Sequence, residues 1–126
     1  MRTINLGEFD DAIGVIRGRY LANLAYLTDV FLKEIDQVKK EQDIASAIAA
    51  IRQHSHKICG VAPTLGLLRL GEFGMQVELL ATELQNGIIE AEPLSELFIA
   101  IEEMLDHMQE LRRQYDLQAP FRHKGG

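Results

Sequence analysis

The chain has 126 residues, of which 47% are apolar and 25% charged, and it carries a net charge of -6 and one cysteine. This length and composition are typical of a single folded domain with one hydrophobic core. The acidic balance argues against a nucleic-acid-binding module, and no apolar run reaches the roughly 20 residues of a membrane helix. The lone cysteine excludes an internal disulfide and a cysteine-based zinc site, and we expect a cytoplasmic location.

The first apolar run recurs every three or four residues, which is the spacing of one helical face. Its members are Ile13, Ile16, Tyr20, Leu24, Leu27, Phe31, Ile35 and Val38. Gly14 and Gly18 fall inside this run, and each glycine costs about 1 kcal/mol relative to alanine in a helix interior. The run therefore predicts a short leading helix followed by a longer one from about Tyr20.

The second run starts after Asp43, a good helix cap, and should end before Pro63, because proline disfavours helical geometry in the residue before it. Its apolar face is formed by Ile44, Ile48, Ile51, Ser55, Ile58 and Ala62. This pattern predicts a second long helix.

Two further runs follow, separated by Asn86 and Gly87, which are typical of a helix end. The third run consists of Leu70, Phe73, Val77, Leu80 and Leu84. The fourth run consists of Leu94, Leu97, Ile101, Met104, Met108, Leu111 and Tyr115, with Pro93 suited to its first helical position.

Four amphipathic helices with short connections predict an all-α fold, an up-down four-helix bundle with a short extra N-terminal helix or helix extension. We expect residues 1–126 to form one domain with a core of about 8–116, and a frayed tail over 117–126 that contains Pro120 and a terminal glycine pair.

Two histidines lie on the second predicted helix. At about 100° per residue, His56 lies about 120° from the centre of the apolar face and points to solvent, whereas His54 lies about 85° away and is expected to be partly packed. Gly60 follows His56 by one turn, where glycine weakens a helix. Either this glycine gives a partner close access to the imidazole, or it merely precedes the helix end near Pro63. An exposed imidazole is a good nitrogen nucleophile near neutral pH.

Residues 55–66 read SHKICGVAPTLG. This segment resembles the active-site helix of histidine phosphotransfer (HPt) domains, in which glycines follow the phosphoryl-accepting histidine by four and ten residues. His56, Gly60 and Gly66 hold these positions here, and the similarity covers about 43–87. The resemblance implies that His56 is the phosphoryl acceptor. Counting from Lys57, as the lysine of the family motif, would select His54 instead, but both glycines would then be misplaced.

Further positions of the HPt motif are matched in part. Glu78 stands 22 residues after His56, where many members of the family that serve chemotaxis-type kinases carry a glutamate. The resemblance implies that Glu78 accepts a hydrogen bond from the imidazole Nδ1–H and leaves Nε2 as the nucleophile. The family usually has lysine three residues after the histidine, and this chain has Cys59. Arg52 or Lys57 could supply the missing cation, and the four-residue spacing favours Arg52.

The resemblance implies a phosphoryl carrier that serves a two-component phosphorelay, either as a standalone relay or as the module of a larger kinase. His56 would receive its phosphoryl group from a histidine kinase or receiver domain and pass it to the aspartate of a response regulator. The receiver would supply Mg²⁺, and this chain would hold no metal and no other cofactor. Apart from part of the third helix, the expected docking surface comprises Ala49, Arg52, Gln53, Cys59, Gly60, Thr64 and Gly66.

Several other functions lack a sequence basis. No glycine-rich phosphate loop is present, so we expect no ATP site. His54 and His56 are two residues apart, about 200° around a helix, and cannot chelate one ion. The alternative to the carrier is a non-catalytic helical adaptor that binds receivers without phosphotransfer, which the Cys59 substitution favours. We expect a monomer, and a dimer through the first helix is the remaining alternative.

Overall fold

The computed structural model describes residues 6–118, and this part of the chain is all-helical, with no strand. The prediction of an all-α fold is therefore confirmed. The five α-helices are α1 (Leu6–Ala22), α2 (Leu24–Lys39), α3 (Ile44–Val61), α4 (Leu68–Asn86) and α5 (Ala91–Leu117), and a 3₁₀ helix (Ala62–Leu65) joins α3 to α4. Of the tail predicted to fray, Leu117 still ends α5, and 119–126 lie outside the described residues.

The first run divides into two helices, but not where the sequence predicts. The break lies at Asn23, whose N–H donates to the carbonyl oxygens of Arg19 at 3.2 Å and Tyr20 at 3.0 Å. The leading helix α1 is 17 residues long rather than short. Gly14 and Gly18 are both accommodated within it, because a helix tolerates glycine at a cost of about 1 kcal/mol when neighbouring turns are formed.

The ends of α3 agree with the prediction. The Asp43 side chain accepts a hydrogen bond from the Ser46 N–H at 3.3 Å and caps the first turn. The helix ends at Val61, and the chain continues as the 3₁₀ helix that contains Pro63. Gly66 ends that turn with a φ of 79°, a left-handed conformation that favours glycine.

The ends of α4 and α5 are also close to the predicted positions. Helix α4 ends at Asn86, as the Asn-Gly pair indicates. Pro93 is the third residue of α5 rather than the first. Proline is tolerated there because the first four N–H groups of a helix have no partner within the helix.

Four of the helices close a ring around the core. Helix α3 packs against α4, α4 against α5, and α2 against both α3 and α5. The largest fully buried side chains come from these four helices and include Leu24, Phe31, Ile48, Ile51, Ile58, Leu70, Leu97, Ile101, Met104 and Met108. Burial of this apolar surface, at about 25 cal/mol per Å², supplies most of the favourable free energy of folding.

Helix α1 lies at the edge of this ring. It contacts α5, the 3₁₀ helix and the start of α2, and none of its described side chains is fully buried. The Nε of Arg17 donates to the Leu65 carbonyl oxygen at 2.6 Å, which ties α1 to the 3₁₀ helix. Ile16, which the sequence assigns to the first apolar run, is therefore half exposed.

The α3–α4 contact is unusually close at Gly74. A Cβ atom built at this glycine would lie 2.9 Å from Ile58 Cγ2 and 3.1 Å from both the Ser55 carbonyl oxygen and the Cys59 nitrogen. These distances leave no room for any larger residue unless the helices move apart. The absence of a side chain at Gly74 thus sets the separation of the two helices.

Candidate functional site

His56 projects from the solvent-facing side of α3, and its side chain is 70% exposed. The preceding Ser55 fixes the rotation of the helix: it is fully buried, and its hydroxyl donates to the Ile51 carbonyl oxygen at 2.7 Å. His54 is half-buried, and its ring meets the buried Phe31 edge-on with 6.1 Å between centroids. The exposed position predicted for His56 and the partly packed position predicted for His54 both agree with the structure.

Glu78 reaches His56 from the neighbouring helix α4. The His56 Nδ1–H donates to Glu78 Oε1 at 2.7 Å, and the glutamate side chain is only 22% exposed. A carboxylate oxygen can only accept, so the proton of this bond lies on Nδ1. In the neutral imidazole the lone pair then lies on Nε2. The contact expected between the two residues is therefore present.

The close packing at Gly74 explains how a glutamate on α4 can reach a histidine on α3. Gly74 lies one helical turn before Glu78 and touches the backbone of α3 beside Ser55 and Cys59. Residues four apart share a helical face, so Glu78 also points towards α3. The short distance between the helix axes lets its carboxylate meet the imidazole directly.

Among residues 6–118, no packing contact requires a glycine at position 60. It is exposed and helical, and a Cβ added to it would meet nothing within 4 Å. Its φ is not positive, because Gly66 is the glycine with a positive φ among the described residues. Alanine would therefore fit and would favour the helix. Both interpretations of Gly60 agree with the structure, because the position is open and α3 ends one residue later, at Val61.

Two cationic side chains lie near His56 on α3. Arg52 is half-buried, lies one turn before His56 and therefore shares its side of the helix. Lys57, the next residue, is exposed. Within residues 6–118, neither side chain forms a hydrogen bond or an ion pair with another residue. Both are therefore available to an incoming anion. Cys59 is half-buried and is a free thiol.

The remaining predicted docking residues fall into two groups. Ala49 and Gln53 lie on the same side of α3 as His56, half-buried and exposed respectively. Thr64 and Gly66 are exposed but belong to the turn beyond the end of α3. The left-handed φ of Gly66 gives it a structural reason to be glycine, which a binding role does not require.

Three exposed apolar residues of α4 extend this surface, and none of them is among the residues expected from the sequence. Leu68, Met75 and Leu79 on α4 are exposed by 65%, 52% and 59% and lie on the side of the helix next to Glu78. They do not belong to the apolar run that forms the buried face of the third predicted helix. Apolar residues outside that run were the sequence feature that could have indicated this exposed surface. Together they add an apolar flank to the polar surface around His56.

A third histidine, His107, has a different environment. His107 on α5 packs against the Phe73 ring with 5.4 Å between centroids, and Arg69 of α4 lies over the same ring. Burial lowers the pKa of His107, and the Arg69 charge lowers it further. This imidazole lies between α4 and α5 rather than beside His56. Among the described residues, no group of three or more His, Cys, Asp or Glu side chains could hold a metal ion.

In comparisons with known proteins, no protein-family model matches the chain, and no curated protein or solved structure matches it either. No helix within residues 6–118 has the length and apolar character needed to cross a membrane.

Proposed function

We propose that this chain is a histidine phosphotransfer protein or domain, in which α2 to α5 form the up-down four-helix bundle of that family and α1 is an N-terminal extension. His56 is the phosphoryl acceptor. The observation that supports this proposal most strongly is the exposed imidazole whose Nδ1–H is bonded to Glu78 at 2.7 Å. This arrangement leaves a directed nucleophile, Nε2, facing solvent.

The proposed step is an in-line transfer from the aspartyl phosphate of a receiver domain. The Nε2 lone pair of His56 attacks phosphorus, an N–P bond forms, and the P–O bond to the aspartate breaks with its electron pair remaining on the carboxylate oxygen. The Nδ1 proton stays in place, so the ring gains positive charge as the bond forms. The adjacent Glu78 carboxylate offsets this charge. Transfer in the opposite direction reverses the same bonds.

The phosphoryl group brings negative charge that needs a cation. By the resemblance, the receiver supplies Mg²⁺, and no metal site is needed on this chain. Arg52 takes the role of the lysine that Cys59 replaces, because it lies one turn from His56 and has no competing partner within the described residues. Lys57 contributes less directly, since it points about 100° away from His56 around the helix.

The surface around His56 suits a transient complex with a receiver domain. Gly60, one turn beyond His56, has no side chain that would keep a partner's surface away from the imidazole. The exposed Met75 and Leu79 provide apolar contact on the α4 side. Small interfaces of this mixed character are typical of short-lived signalling complexes.

The decisive experiment is the intact mass of the protein after incubation with a receiver domain, Mg²⁺ and acetyl phosphate as phosphoryl donor. We expect an acid-labile gain of one phosphoryl group in the wild type. His56→Gln should abolish it, whereas the matched variant His54→Gln should retain it, because His54 packs against Phe31 rather than facing solvent. Labelling that survives in His56→Gln would refute the assignment. Receiver binding without labelling would support the adaptor.

The role of Glu78 requires a separate kinetic test. Loss of a group that orients a reactive imidazole typically costs tenfold or more, so we expect Glu78→Ala to slow transfer about 10- to 100-fold. Glu78→Gln retains an acceptor oxygen and should be affected less. Glu83→Ala, which removes an exposed glutamate on the same helix, is the matched control and should transfer at the wild-type rate. Equal rates for Glu78→Ala and Glu83→Ala would exclude the orienting role.

A further inference from the structure

Two glycines of α4 lie along the side of this helix that faces α3 and the 3₁₀ helix. Gly71 and Gly74 are both buried, and a Cβ atom added to either would crowd a neighbouring element. At Gly71 it would lie 2.5 Å from Pro63 Cγ, and at Gly74 it would lie 3.1 Å from two backbone atoms of α3. Glu78 lies on the same side, because positions 71, 74 and 78 are three and four residues apart. A closely packed side of α4 therefore carries the glutamate that bonds to His56.

The backbone atoms beside Gly74 belong to the turn of α3 that carries His56. One is the carbonyl oxygen of Ser55, the residue before His56, and the other is the nitrogen of Cys59, almost one turn after it. Neither atom can turn aside as the end of a flexible side chain could. Ser55 is held further by its buried hydroxyl, which donates to the Ile51 carbonyl oxygen at 2.7 Å. A larger residue at position 74 would therefore push against the segment that holds the imidazole.

The hydrogen bond between His56 and Glu78 is sensitive to such a displacement. Its Nδ1 and Oε1 atoms are 2.7 Å apart, and N–H···O bonds extend to about 3.2 Å. The Glu78 side chain is only 22% exposed, so surrounding atoms restrict the rotamers that could compensate. Gly74 and Glu78 are one turn apart on the same helix. A shift of a few tenths of an ångström at Gly74 therefore reaches Glu78 almost unchanged.

We propose that Gly74 is a positioning residue for phosphoryl transfer and acts through Glu78. The inference rests on the proposed function of His56. The absence of a side chain at position 74 holds α4 close enough for Glu78 to accept the Nδ1–H bond, which keeps the proton on Nδ1 and the nucleophilic lone pair on Nε2. The pair is then in place before the phosphoryl group arrives, and transfer requires no movement of the two helices.

Transfer rates of variants at position 74 test this role, with the receiver domain, Mg²⁺ and acetyl phosphate as before. Gly74→Ala should slow transfer about 3- to 10-fold, which is less than the effect of Glu78→Ala, because the carboxylate is displaced rather than removed. Gly74→Val should slow it further. Ile101→Val removes a buried methyl group from α5 and lowers stability comparably. This matched control should transfer at the wild-type rate.

A double-mutant cycle distinguishes positioning from general damage. When Glu78→Ala is already present, Gly74→Ala should cause no further loss of rate, because the bond that it disturbs is absent. If Gly74 acted independently of Glu78, the two effects on the rate would multiply. The cycle therefore tests whether the glycine acts through the glutamate.

The ¹⁵N chemical shifts of the His56 imidazole give a readout that a loss of stability does not change, and they require no receiver domain. At about pH 9, above the ordinary histidine pKa of about 6.5, the wild type should carry its ring proton on Nδ1. Gly74→Ala should populate the Nε2–H tautomer in part, and Glu78→Ala should do so to a greater extent. Ile101→Val should match the wild type. The spectrum of His56→Gln identifies the resonances.

Three results would overturn the proposal: a wild-type transfer rate in Gly74→Ala, an unchanged tautomer in that variant, or rate losses that multiply in the double mutant. Circular dichroism verifies that each variant is helical, and Gly74→Ala alone decides the outcome if Gly74→Val does not fold. A wild type that is never phosphorylated would refute the proposed function and the role of Gly74 in transfer. The tautomer measurement would still show whether Gly74 holds the His56–Glu78 pair together, so the two failures are distinguishable.

Discussion

Alanine substitutions at Gly74 and Gly60 should change stability in opposite directions. Both glycines are helical, and alanine gains about 0.5–1 kcal/mol over glycine in a helix interior. At Gly60 the new methyl group meets open space, so the gain remains. At Gly74 it would lie 2.9 Å from Ile58 Cγ2, a stiff buried side chain, and 3.1 Å from two backbone atoms of α3.

The size of the Gly74 effect follows from this crowding. Overpacking of a well-packed core typically costs 1–3 kcal/mol, and the helix propensity of alanine offsets part of it. We therefore expect Gly74→Ala to lose about 1–2 kcal/mol of unfolding free energy and Gly60→Ala to gain about 0.5–1 kcal/mol. For a chain of this length the two melting temperatures should differ by roughly 6–15 °C.

Urea unfolding, monitored by circular dichroism, measures the unfolding free energy of both variants relative to the wild type. The m-value should stay constant, since neither change alters the surface exposed on unfolding. A Gly74→Ala variant as stable as the wild type would refute the reasoning, because the α3–α4 separation would then not depend on this glycine. A destabilised Gly60→Ala variant would show that the open space beside α3 is not open in solution.

Three further outcomes are expected. Arg17→Ala removes the bond to the Leu65 carbonyl oxygen and should raise amide hydrogen exchange in α1 severalfold while leaving α3 protected, whereas uniform exchange would contradict a separate role for α1. Gly66→Ala forces a side chain into a left-handed φ of 79° and should cost about 1–2 kcal/mol of unfolding free energy in urea. Because the pKa of His107 is lowered from 6.5 by folding, the unfolded state binds more protons, so stability should rise with pH through about 6.5. His107→Gln should flatten the dependence of the unfolding free energy on pH in this range. An unchanged slope in the variant would contradict the role assigned to His107.

The helical period predicted most of the fold. Runs at three- to four-residue spacing located α2 to α5 and the ends of α3 and α4, because these helices bury one face each in a common core. The same reasoning was less accurate for α1. Ile13 and Ile16 continue the period of the first run, yet Ile16 is half exposed since α1 lies at the edge of the helix ring. Periodicity identifies an apolar face but not what covers it.

The site could be predicted only in part. Helix geometry indicated that His56 is exposed, while the expectation that Glu78 meets it came from the HPt resemblance. Geometry alone places Glu78 at a rim of α4, and its direction depends on how closely α3 and α4 approach. Gly74 sets that distance, but the sequence alone does not show which helix packs against this glycine. The apolar flank formed by Met75 and Leu79 was unspecified for the same reason.

The candidate site is built from two helices that are consecutive in the chain. His56 and Glu78 are separated by 22 residues, and only the 3₁₀ helix and two further residues connect α3 to α4. Contacts between nearby segments form quickly in folding, because little chain entropy is lost when they close. We therefore expect the α3–α4 hairpin to form early, with the imidazole and its carboxylate partner already juxtaposed, and α1 to join last.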